Sequence, residues 1–220
     1  MLKVLIISHL LVLFFHIAPL AAGDLSGVLE GIRKKYGALP GFTVSYTREV
    51  NTRSMTMLGN QIKGDLATGQ IYFKSPCYLR LEQETPTKET IIADKDKLLW
   101  IVPDKKTAYE YSSKTFGMEL RLLNDIFSGF SEINDKFRIA MFDQNKAECH
   151  GLELRPATPW QDVDRIRLII TTGYSINEVH IHNQFGSITS FRLSEMVLKE
   201  SLGSALFSFI IPEGFRLIKE

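Results

Sequence analysis

The chain has 220 residues, which is the length of one sizeable domain. Hydrophobic residues make up 45% of it and charged residues 23%, as in an ordinary globular protein, and no repeat or low-complexity linker indicates a second domain. A formal net charge of +1 excludes the strong electrostatic field by which nucleic-acid-binding and anionic-membrane-binding proteins are recognised.

Residues 1–22 have the layout of a secretory signal peptide. Lys3 supplies one positive charge, residues 4–20 are almost wholly apolar, and three small residues ending at Gly23 follow. This pattern predicts cleavage just before Gly23 or Asp24. The alternative is an uncleaved membrane anchor, because the apolar run is close to the ~20 residues that span a bilayer.

The chain that remains, residues 23–220, is predicted to be a single exported domain, soluble and electrically neutral. Removal of Lys3 lowers the Lys and Arg count from 26 to 25, which equals the 25 Asp and Glu residues. Export makes disulfides possible, and the only cysteines of the sequence are Cys77 and Cys149. Either these two pair or both remain free thiols, because the sequence does not show whether their Cα atoms are close enough for a bond.

The first predicted elements of the exported chain are a helix and a half-buried strand. Apolar residues recur at three- and four-residue steps through residues 24–36, which predicts an amphipathic helix. Phe42, Val44 and Tyr46 then alternate with polar residues, as in a strand with one buried face. Residues 51–60 are polar and form either a hairpin tip or a continuation of that strand.

Three short apolar segments follow between polar turns, at residues 71–73, 78–81 and 98–102. Their spacing predicts a meander of antiparallel strands. Residues 116–130 carry a broad apolar face that predicts one or two short helices. Strands are predicted again beyond that point, where apolar residues alternate along the chain at Phe137, Ile139, Met141, Leu152, Leu154, Ile166, Leu168, Ile170, Val179, Ile181, Phe191, Leu193, Phe207, Phe209 and Ile211.

The order of one helix, strands, short helices and many strands predicts an α+β fold dominated by one large antiparallel sheet. About ten strands do not stay flat, so we expect the sheet to curl into a half or whole barrel. The helices carry apolar faces, and the concave side of the curled sheet is the place that can bury them.

Four short motifs stand in order behind the predicted signal peptide. The first is an aromatic opening strand, Phe42 to Tyr46, and the second is a strand and turn ending in Lys-x-Pro, Gly69 to Pro76, with Arg80 after it. The third is a hairpin with Asp94, Leu99, Trp100 and Pro103. The fourth is a C-terminal strand and turn, Ala205 to Gly214. Together they resemble the corresponding motifs of the LolA family of periplasmic lipoprotein carriers, and the resemblance covers nearly all of residues 23–220.

The resemblance implies an incomplete, half-open antiparallel β-barrel with a helical lid over a hydrophobic cavity. It also implies a monomeric carrier that takes the acyl chains of lipoproteins from an inner-membrane lipoprotein-releasing ABC transporter. The carrier would cross the periplasm and deliver them to an outer-membrane acceptor. No covalent chemistry, cofactor or nucleic acid belongs to this activity.

One position departs from the family pattern. In the best-known branch an arginine directly precedes the proline and hydrogen-bonds the lid, whereas this chain has Ser75 before Pro76. The resemblance therefore implies no lid-locking arginine here, and we expect other contacts to hold the closed state. Arg80 matches an arginine of the wider family to which no role is assigned.

Apolar residues of the predicted strands and helices are the candidates for the wall and lid of the cavity. The wall candidates are Phe42, Val44, Tyr46, Ile71, Phe73, Leu79, Leu81, Trp100, Leu168 and Phe209. The lid candidates are Leu25, Leu29, Ile32, Leu120, Leu123 and Phe127. The alternative is that the same side chains pack together as an ordinary core, because cores and cavity walls use the same residue types.

The sequence contains no G-x-S-x-G elbow, phosphate-binding loop or H-E-x-x-H pair, so no enzyme is indicated. Glu178, His180 and His182 share one strand face, opposite the apolar Val179 and Ile181. We expect these histidines to face solvent, because one strand alone does not complete a tetrahedral metal site.

The main functional alternative is a binding module of the same fold that senses lipidated or misfolded proteins and acts through a protein partner. A more distant alternative is a secreted hydrolase, which would need a cluster of polar groups inside the cavity. The sequence leaves the cargo, the donor and the acceptor unnamed.

Overall fold

The structure is a computed structural model that describes residues 24–57, 64–112, 118–130, 133–143, 148–160 and 163–220, without the side chains of residues 56, 57, 118–121 and 134. The predicted signal peptide, residues 1–22, lies outside the described residues. In the described part of the chain, no helix is long and apolar enough to cross a membrane.

Among the described residues, four α-helices and two short 3-10 helices accompany the strands. The α-helices are α1 (Leu25–Tyr36), α2 (Arg53–Met57), α3 (Met118–Phe127) and α4 (Ile133–Lys136), and the 3-10 helices are Pro103–Lys105 and Ser204–Phe207. The Asp24 side chain caps α1 by accepting a hydrogen bond from the Gly27 N–H at 2.9 Å. The helices α1 and α3 confirm the two helical segments expected from the apolar periodicity.

All strands belong to one sheet. They are β1 (Gly41–Asn51), β2 (Asp65–Lys74), β3 (Tyr78–Thr85), β4 (Glu89–Ala93), β5 (Lys97–Val102), β6 (Thr107–Ser112), β7 (Phe137–Phe142), β8 (Cys149–Pro156), β9 (Arg165–Thr171), β10 (Ile176–His182), β11 (Ile188–Leu193), β12 (Val197–Leu198) and β13 (Arg216–Lys219). Their spatial order is β13-β6-β5-β4-β3-β2-β1-β11-β10-β9-β8-β7, and β12 adds to β1.

The sheet is an incomplete barrel. Every pairing is antiparallel except that of β13 with β6, and the terminal strands β13 and β7 are not paired with each other in the part of the chain that the structure describes. The strand β1 lies in the middle, where β2 pairs along one edge and β11 and then β12 pair along the other. This architecture confirms the half-open antiparallel barrel expected from the sequence.

The two faces of the sheet differ in polarity. Val44 pairs with Ile71 and Ile71 with Leu81, and because cross-strand partners share a face, these residues define the inner face. On the other half of the sheet, Leu168 pairs with Val179 and packs into the same buried cluster. The helices α1 and α3 bury their apolar sides on this inner face, with Ile32 and Leu123 fully enclosed. They form the lid.

The C-terminal segment differs from the prediction. Residues 207–211 do not form a strand; a 3-10 helix ends at Phe207, and the following residues run irregularly to β13. This segment crosses the outer face, where Leu99, Ile101 and Ala108 present a second apolar patch that Phe209 and its neighbours cover. Arg80 holds the segment in place, because its Nη1 donates a hydrogen bond to the Leu206 carbonyl at 2.9 Å.

Residues 52–57 do not continue the strand β1, which was one of the two alternatives for this region. The strand β1 ends at Asn51 and the short helix α2 follows, so the strand does not continue through this region. The rest of the connection, residues 58–63, lies outside the described residues.

Candidate functional site

The predicted wall and lid residues meet in one buried cluster beneath the helices. All wall candidates except Trp100 and Phe209 belong to it: Phe42, Val44, Tyr46, Ile71, Phe73, Leu79, Leu81 and Leu168. From the lid, Leu29, Ile32, Leu123 and Phe127 are buried in the same cluster, and Leu25 is partly buried against it. The side chain of Leu120 lies outside the described residues. Whether this cluster takes up a ligand stays a prediction.

Phe209 and Trp100 were predicted as wall residues, but neither belongs to the buried cluster. Phe209 is on the outer face, with Lys97 Nζ 4.2 Å from its ring centroid, because the C-terminal segment covers the apolar patch there. Trp100 is opposite Ile91 on the inner side but outside the cluster, where its ring stacks on Tyr109 with centroids 5.1 Å apart. Its indole N–H donates to a Glu89 carboxylate oxygen at 3.0 Å.

An aromatic group closes the lid onto the sheet. The Phe127 ring of α3 packs edge-on against Phe42, with centroids 5.0 Å apart, and against Phe73 at 6.0 Å. Tyr36 of α1 meets Phe42 from the other side at 6.1 Å. Edge-to-face aromatic pairs contribute about 0.5–1.5 kcal/mol each beyond the area that they bury. The contacts of Phe127 therefore contribute to the apolar closure of the lid.

Three polar contacts join the lid to the ends of strands and to the turns between them. The Tyr36 hydroxyl accepts a hydrogen bond from the Ile176 N–H at 3.0 Å, and Lys35 Nζ donates to the Gly173 carbonyl at 2.8 Å. The Ser128 hydroxyl shares its one proton between the Asn124 carbonyl of α3 at 2.8 Å and the Pro76 carbonyl at 3.1 Å. Burial raises the pKa of Tyr36, although its hydrogen bond acts in the opposite direction. These contacts hold the closed state in a chain that has a serine, exposed here, before Pro76.

A cleft of about 510 Å³ opens at the edge of the lid. We call it the lid-edge cleft. Its apolar lining comes from the lid, from β1 and from the segment around β12: Tyr36, Phe127, Phe42, Val44, Ile176, Leu193, Met196 and Leu198. Polar residues form the rest of the lining: Lys35, Thr171, Ser175, Asn177, Ser194 and Glu195. The cleft thus connects solvent with residues of the buried cluster.

A change of strand partner along β1 creates this cleft. The register with β11 ends at Tyr46 and Leu193, and the register with β12 begins at Thr43 and Val197. Between them the chain bulges away from β1, and the Ser194 hydroxyl accepts a hydrogen bond from the Ser45 N–H at 3.1 Å. The bulge leaves a gap between β12 and the start of β10 into which the cleft opens.

The residues of the bulge and of β12 are missing from the sequence prediction. Met196 is partly buried against the cluster, and Leu198 lies directly opposite Phe42 on the inner face. The only signal in the sequence is three consecutive apolar residues at 196–198, which have no alternation to assign them to a face.

The histidines of β10 lie on the outer face, as expected, but they are half-buried there rather than open to solvent. His180 is held between Glu178, whose carboxylate oxygen is 2.9 Å from Nε2, and Ser190, whose hydroxyl is 2.9 Å from Nδ1. Among the described residues, no group of three or more His, Cys, Asp or Glu side chains could hold a metal ion. Cys77 and Cys149 are unbonded and half-buried. Cys77 lies in the turn between β2 and β3 and Cys149 begins β8, and these strands are far apart in the sheet order.

His182 gives the protein an acid-sensitive position on the outer face. Burial, followed by the charges of Arg165, Arg167 and His180, lowers its pKa from 6.5 to about 4, and Asp164 opposes this only weakly. The unfolded chain therefore binds a proton below pH 6.5 that the folded chain binds only near pH 4. Above pH 6.5, His182 does not lower the free energy of unfolding. As the pH drops toward 4, the free energy of unfolding falls by about 1–2 kcal/mol after allowance for solvent screening.

Urea unfolding of the wild type and of His182→Gln at pH 7 and pH 4.5 measures this effect. We expect the variant to lose less stability than the wild type between the two pH values. An equal loss in both proteins would show that another group carries the acid sensitivity.

Comparison with known proteins places this architecture in a family. Residues 55–210 match the family model described as outer membrane lipoprotein carrier protein LolA. The chain is 22% identical over 194 residues to the outer-membrane lipoprotein carrier protein of Legionella pneumophila (strain Corby), covering 87% of this chain and 89% of the relative. It is 25% identical over 179 residues to the protein of the same name from Pseudomonas putida (strain GB-1), covering 80% and 83%.

A solved structure shares the fold. An uncharacterized conserved protein from Thermus thermophilus aligns with a TM-score of 0.55 at 7% identity, over 90% of this chain and 100% of that one. The match to the family model covers well over half of the chain, and the incomplete barrel with its helical lid agrees with it. The protein belongs to the LolA family of outer membrane lipoprotein carrier proteins.

Proposed function

We propose that this protein is a periplasmic carrier that binds the acyl chains of lipoproteins between its lid and the inner face of the sheet. It moves them from the inner to the outer membrane and acts by binding alone, without covalent chemistry. The observation that carries the proposal is the lid-edge cleft, which reaches Phe42, Val44 and Phe127 of the buried cluster. The names of the family and of its relatives support the cargo class.

The physical requirement for such a carrier is to keep acyl chains out of water. Each CH₂ group removed from water is worth roughly 0.8 kcal/mol, so an unshielded chain would leave the membrane too slowly to be transported. The lid-edge cleft, at about 510 Å³, is within the range of about 300–1,000 Å³ that small-molecule sites occupy. Binding of a long acyl chain would enlarge it by displacing the lid.

The contacts that hold the lid are suited to reversible opening. The three polar contacts of Tyr36, Lys35 and Ser128 are single hydrogen bonds, each with a net worth of about 0.5–1.5 kcal/mol. The apolar contacts of Phe127 are lost on opening, but an acyl chain in the same place replaces them. The net free energy of binding is then a small difference, which allows cargo to be released to an acceptor.

The rest of the transport route follows from the proposal. Residues 1–22 act as the signal peptide that exports the chain, and residues 23–220 form one carrier domain. The donor is an inner-membrane lipoprotein-releasing ABC transporter, the acceptor is an outer-membrane component, and the carrier works as a monomer. The cleft surface around β12 is the part of the molecule that cargo would meet first.

Two neighbouring exposed residues allow a matched test. Leu198 lines the lid-edge cleft and is 59% exposed, whereas Val197 is 52% exposed and lies opposite Thr43 on the other face. We expect Leu198→Asp to lower cargo loading about tenfold, because the carboxylate would have to be desolvated beside an acyl chain, and Val197→Asp to leave loading unchanged. Native mass spectrometry of the periplasmic protein, with lipid extraction, measures the bound cargo.

The outcomes separate the carrier from its alternatives. A lipoprotein or diacyl lipid released only on denaturation supports the proposal and identifies the cargo. A ligand-free wild type that also fails to take up a lipoprotein from detergent contradicts it and favours a packed core with a sensing or interaction role. Equal losses in Leu198→Asp and Val197→Asp would show that the cleft is not the entry.

A further inference from the structure

Polar side chains extend the inner face beyond the apolar cluster, on the same strand as the lid-edge cleft. Tyr46 and Arg48 follow Phe42 and Val44 along β1 at two-residue steps, which places all four on one face. The register confirms this for Arg48, because its cross-strand partner in β11 is Phe191, a member of the buried cluster. The charged side chain of Arg48 on a largely apolar inner face calls for a structural or functional explanation.

One buried polar atom of each of these two residues has no hydrogen-bond partner among the described residues. Tyr46 Oη and Arg48 Nε are both buried, and neither makes a hydrogen bond with any residue that the structure describes. The side chain of Tyr46 is only 3% exposed. A buried polar group without a partner costs about 1–3 kcal/mol, so both donors favour a ligand that brings an acceptor.

Other polar groups at this end of the inner face are already engaged. Gln83 is buried and its Nε2 donates to the Thr87 carbonyl at 2.9 Å. Glu89 accepts the indole N–H of Trp100. Tyr46 and Arg48 are therefore the pair whose buried donors a ligand could satisfy without breaking an existing hydrogen bond.

The surrounding charges define the chemistry of the ligand. Burial raises the pKa of Tyr46 to about 12; Arg48 acts to lower it, and Glu89 and Glu84 act to raise it further. The hydroxyl is thus a neutral donor at any pH of the periplasm. Charges of both signs therefore act on this hydroxyl, so a neutral acceptor such as a carbonyl oxygen suits it better than a fully anionic headgroup.

We propose that Tyr46 and Arg48 form a headgroup site. It binds the carbonyl oxygen of the ester or amide bond that joins an acyl chain to its headgroup. The chain then runs along β1 toward Val44 and Phe42, with about 13 Å of strand between Arg48 and Val44. This inference rests on the proposed function and adds to it an orientation for the cargo and a chemical requirement at its polar end.

A pair of lipids that differ in one carbonyl tests the site. 1-Palmitoylglycerol carries an ester carbonyl, and 1-O-hexadecylglycerol has an ether at the same position with a chain of the same length. We expect the wild type to bind the ester about five- to tenfold more tightly than the ether. Tyr46→Phe combined with Arg48→Met should remove this preference and leave the affinity for the ether unchanged.

The controls separate the site from general effects. Arg192→Met removes an arginine from the outer face, where Arg192 is 3.7 Å from Glu49, and should keep the ester preference. Tyr46→Phe alone removes one hydroxyl without a change of shape and should reduce the preference in part. Equal affinity of the wild type for ester and ether overturns this inference alone, whereas binding of neither lipid overturns the proposed function with it.

The same variants identify the source of the carbonyl. A synthetic lipopeptide with an acylated N-terminal cysteine and a diacyl phospholipid both carry acyl carbonyls, so both are titrated against the wild type and the double variant. A loss of affinity for the lipopeptide alone assigns the site to lipoproteins, and a loss for the phospholipid alone assigns it to membrane lipids. No loss for either lipid contradicts the headgroup site.

Discussion

Oxidation of a Gly31→Cys, Tyr174→Cys double variant is expected to lock α1 onto the sheet and to slow cargo loading by at least about tenfold. Gly31 faces Tyr174 closely, because a Cβ at Gly31 would lie 2.5 Å from Tyr174 Cγ. One further C–C bond puts the two Cβ atoms no more than about 4 Å apart, which is the separation found in disulfides. Removal of the tyrosine ring leaves room for the sulfur atoms.

Loading must slow if cargo enters by displacement of the lid. The new bond would join α1 to the turn between β9 and β10, beside the hydrogen bond that Lys35 already makes to Gly173. The native Cys77 and Cys149 are replaced by serine so that only one disulfide can form. Loading of a detergent-solubilised lipoprotein is timed before and after reduction.

The reduced protein is its own control, because it has the same sequence and differs only in the bond. A Gly31→Cys, Tyr174→Ala variant, which also lacks the ring that a Cβ at Gly31 would meet, shows the effect of the substitutions without a crosslink. If the oxidised and reduced forms load cargo at the same rate, the lid movement proposed here does not occur and the acyl chain enters by another route.

Phe127→Ala is expected to change stability and affinity in opposite directions. Phe127 is 1% exposed and packs on Phe42 and Phe73, so its truncation should lower the free energy of unfolding by about 3–5 kcal/mol. In the loaded protein an acyl chain would occupy the place of the ring. The substitution then destabilises the free, closed state more than the loaded state, and the affinity for cargo rises.

Urea unfolding and titration with a lipopeptide measure the two quantities. Phe207→Ala is the matched control, because Phe207 is also buried but packs on Tyr78 at the outer face, with ring centroids 5.9 Å apart. It should lose stability without any gain in affinity. A fall of both stability and affinity in Phe127→Ala would mean that the ring is an ordinary core residue and that cargo does not replace it.

The disulfide variant and Phe127→Ala both address the question that the sequence left open, whether the apolar residues form a core or a cavity. In this structure the predicted wall and lid residues that belong to the buried cluster pack against one another, and the lid-edge cleft opens beside them. A carrier without cargo would satisfy both descriptions, because its lid serves as the core until an acyl chain takes that place.

Much of the fold was predictable because it depends on local periodicity. The four- and three-residue steps between Leu25, Leu29 and Ile32 indicate a helix. The alternation of apolar residues from Phe42 to Tyr46 indicates a strand with one buried face. Both patterns arise from the geometry of a single element. The four motifs added the order of these elements, and with it the incomplete barrel.

The sequence by itself determined which residues are buried together along β1, β2 and β3, and it determined the family. Only the tertiary structure decided which face of the sheet each segment meets. The prediction of Phe209 on the inner face is wrong because residues 207–211 form no strand and instead cover the apolar patch of the outer face. The lid-edge cleft and the unpartnered pair of Tyr46 and Arg48 depend on pairings between β1 and residues about 150 positions away, which local patterns do not encode.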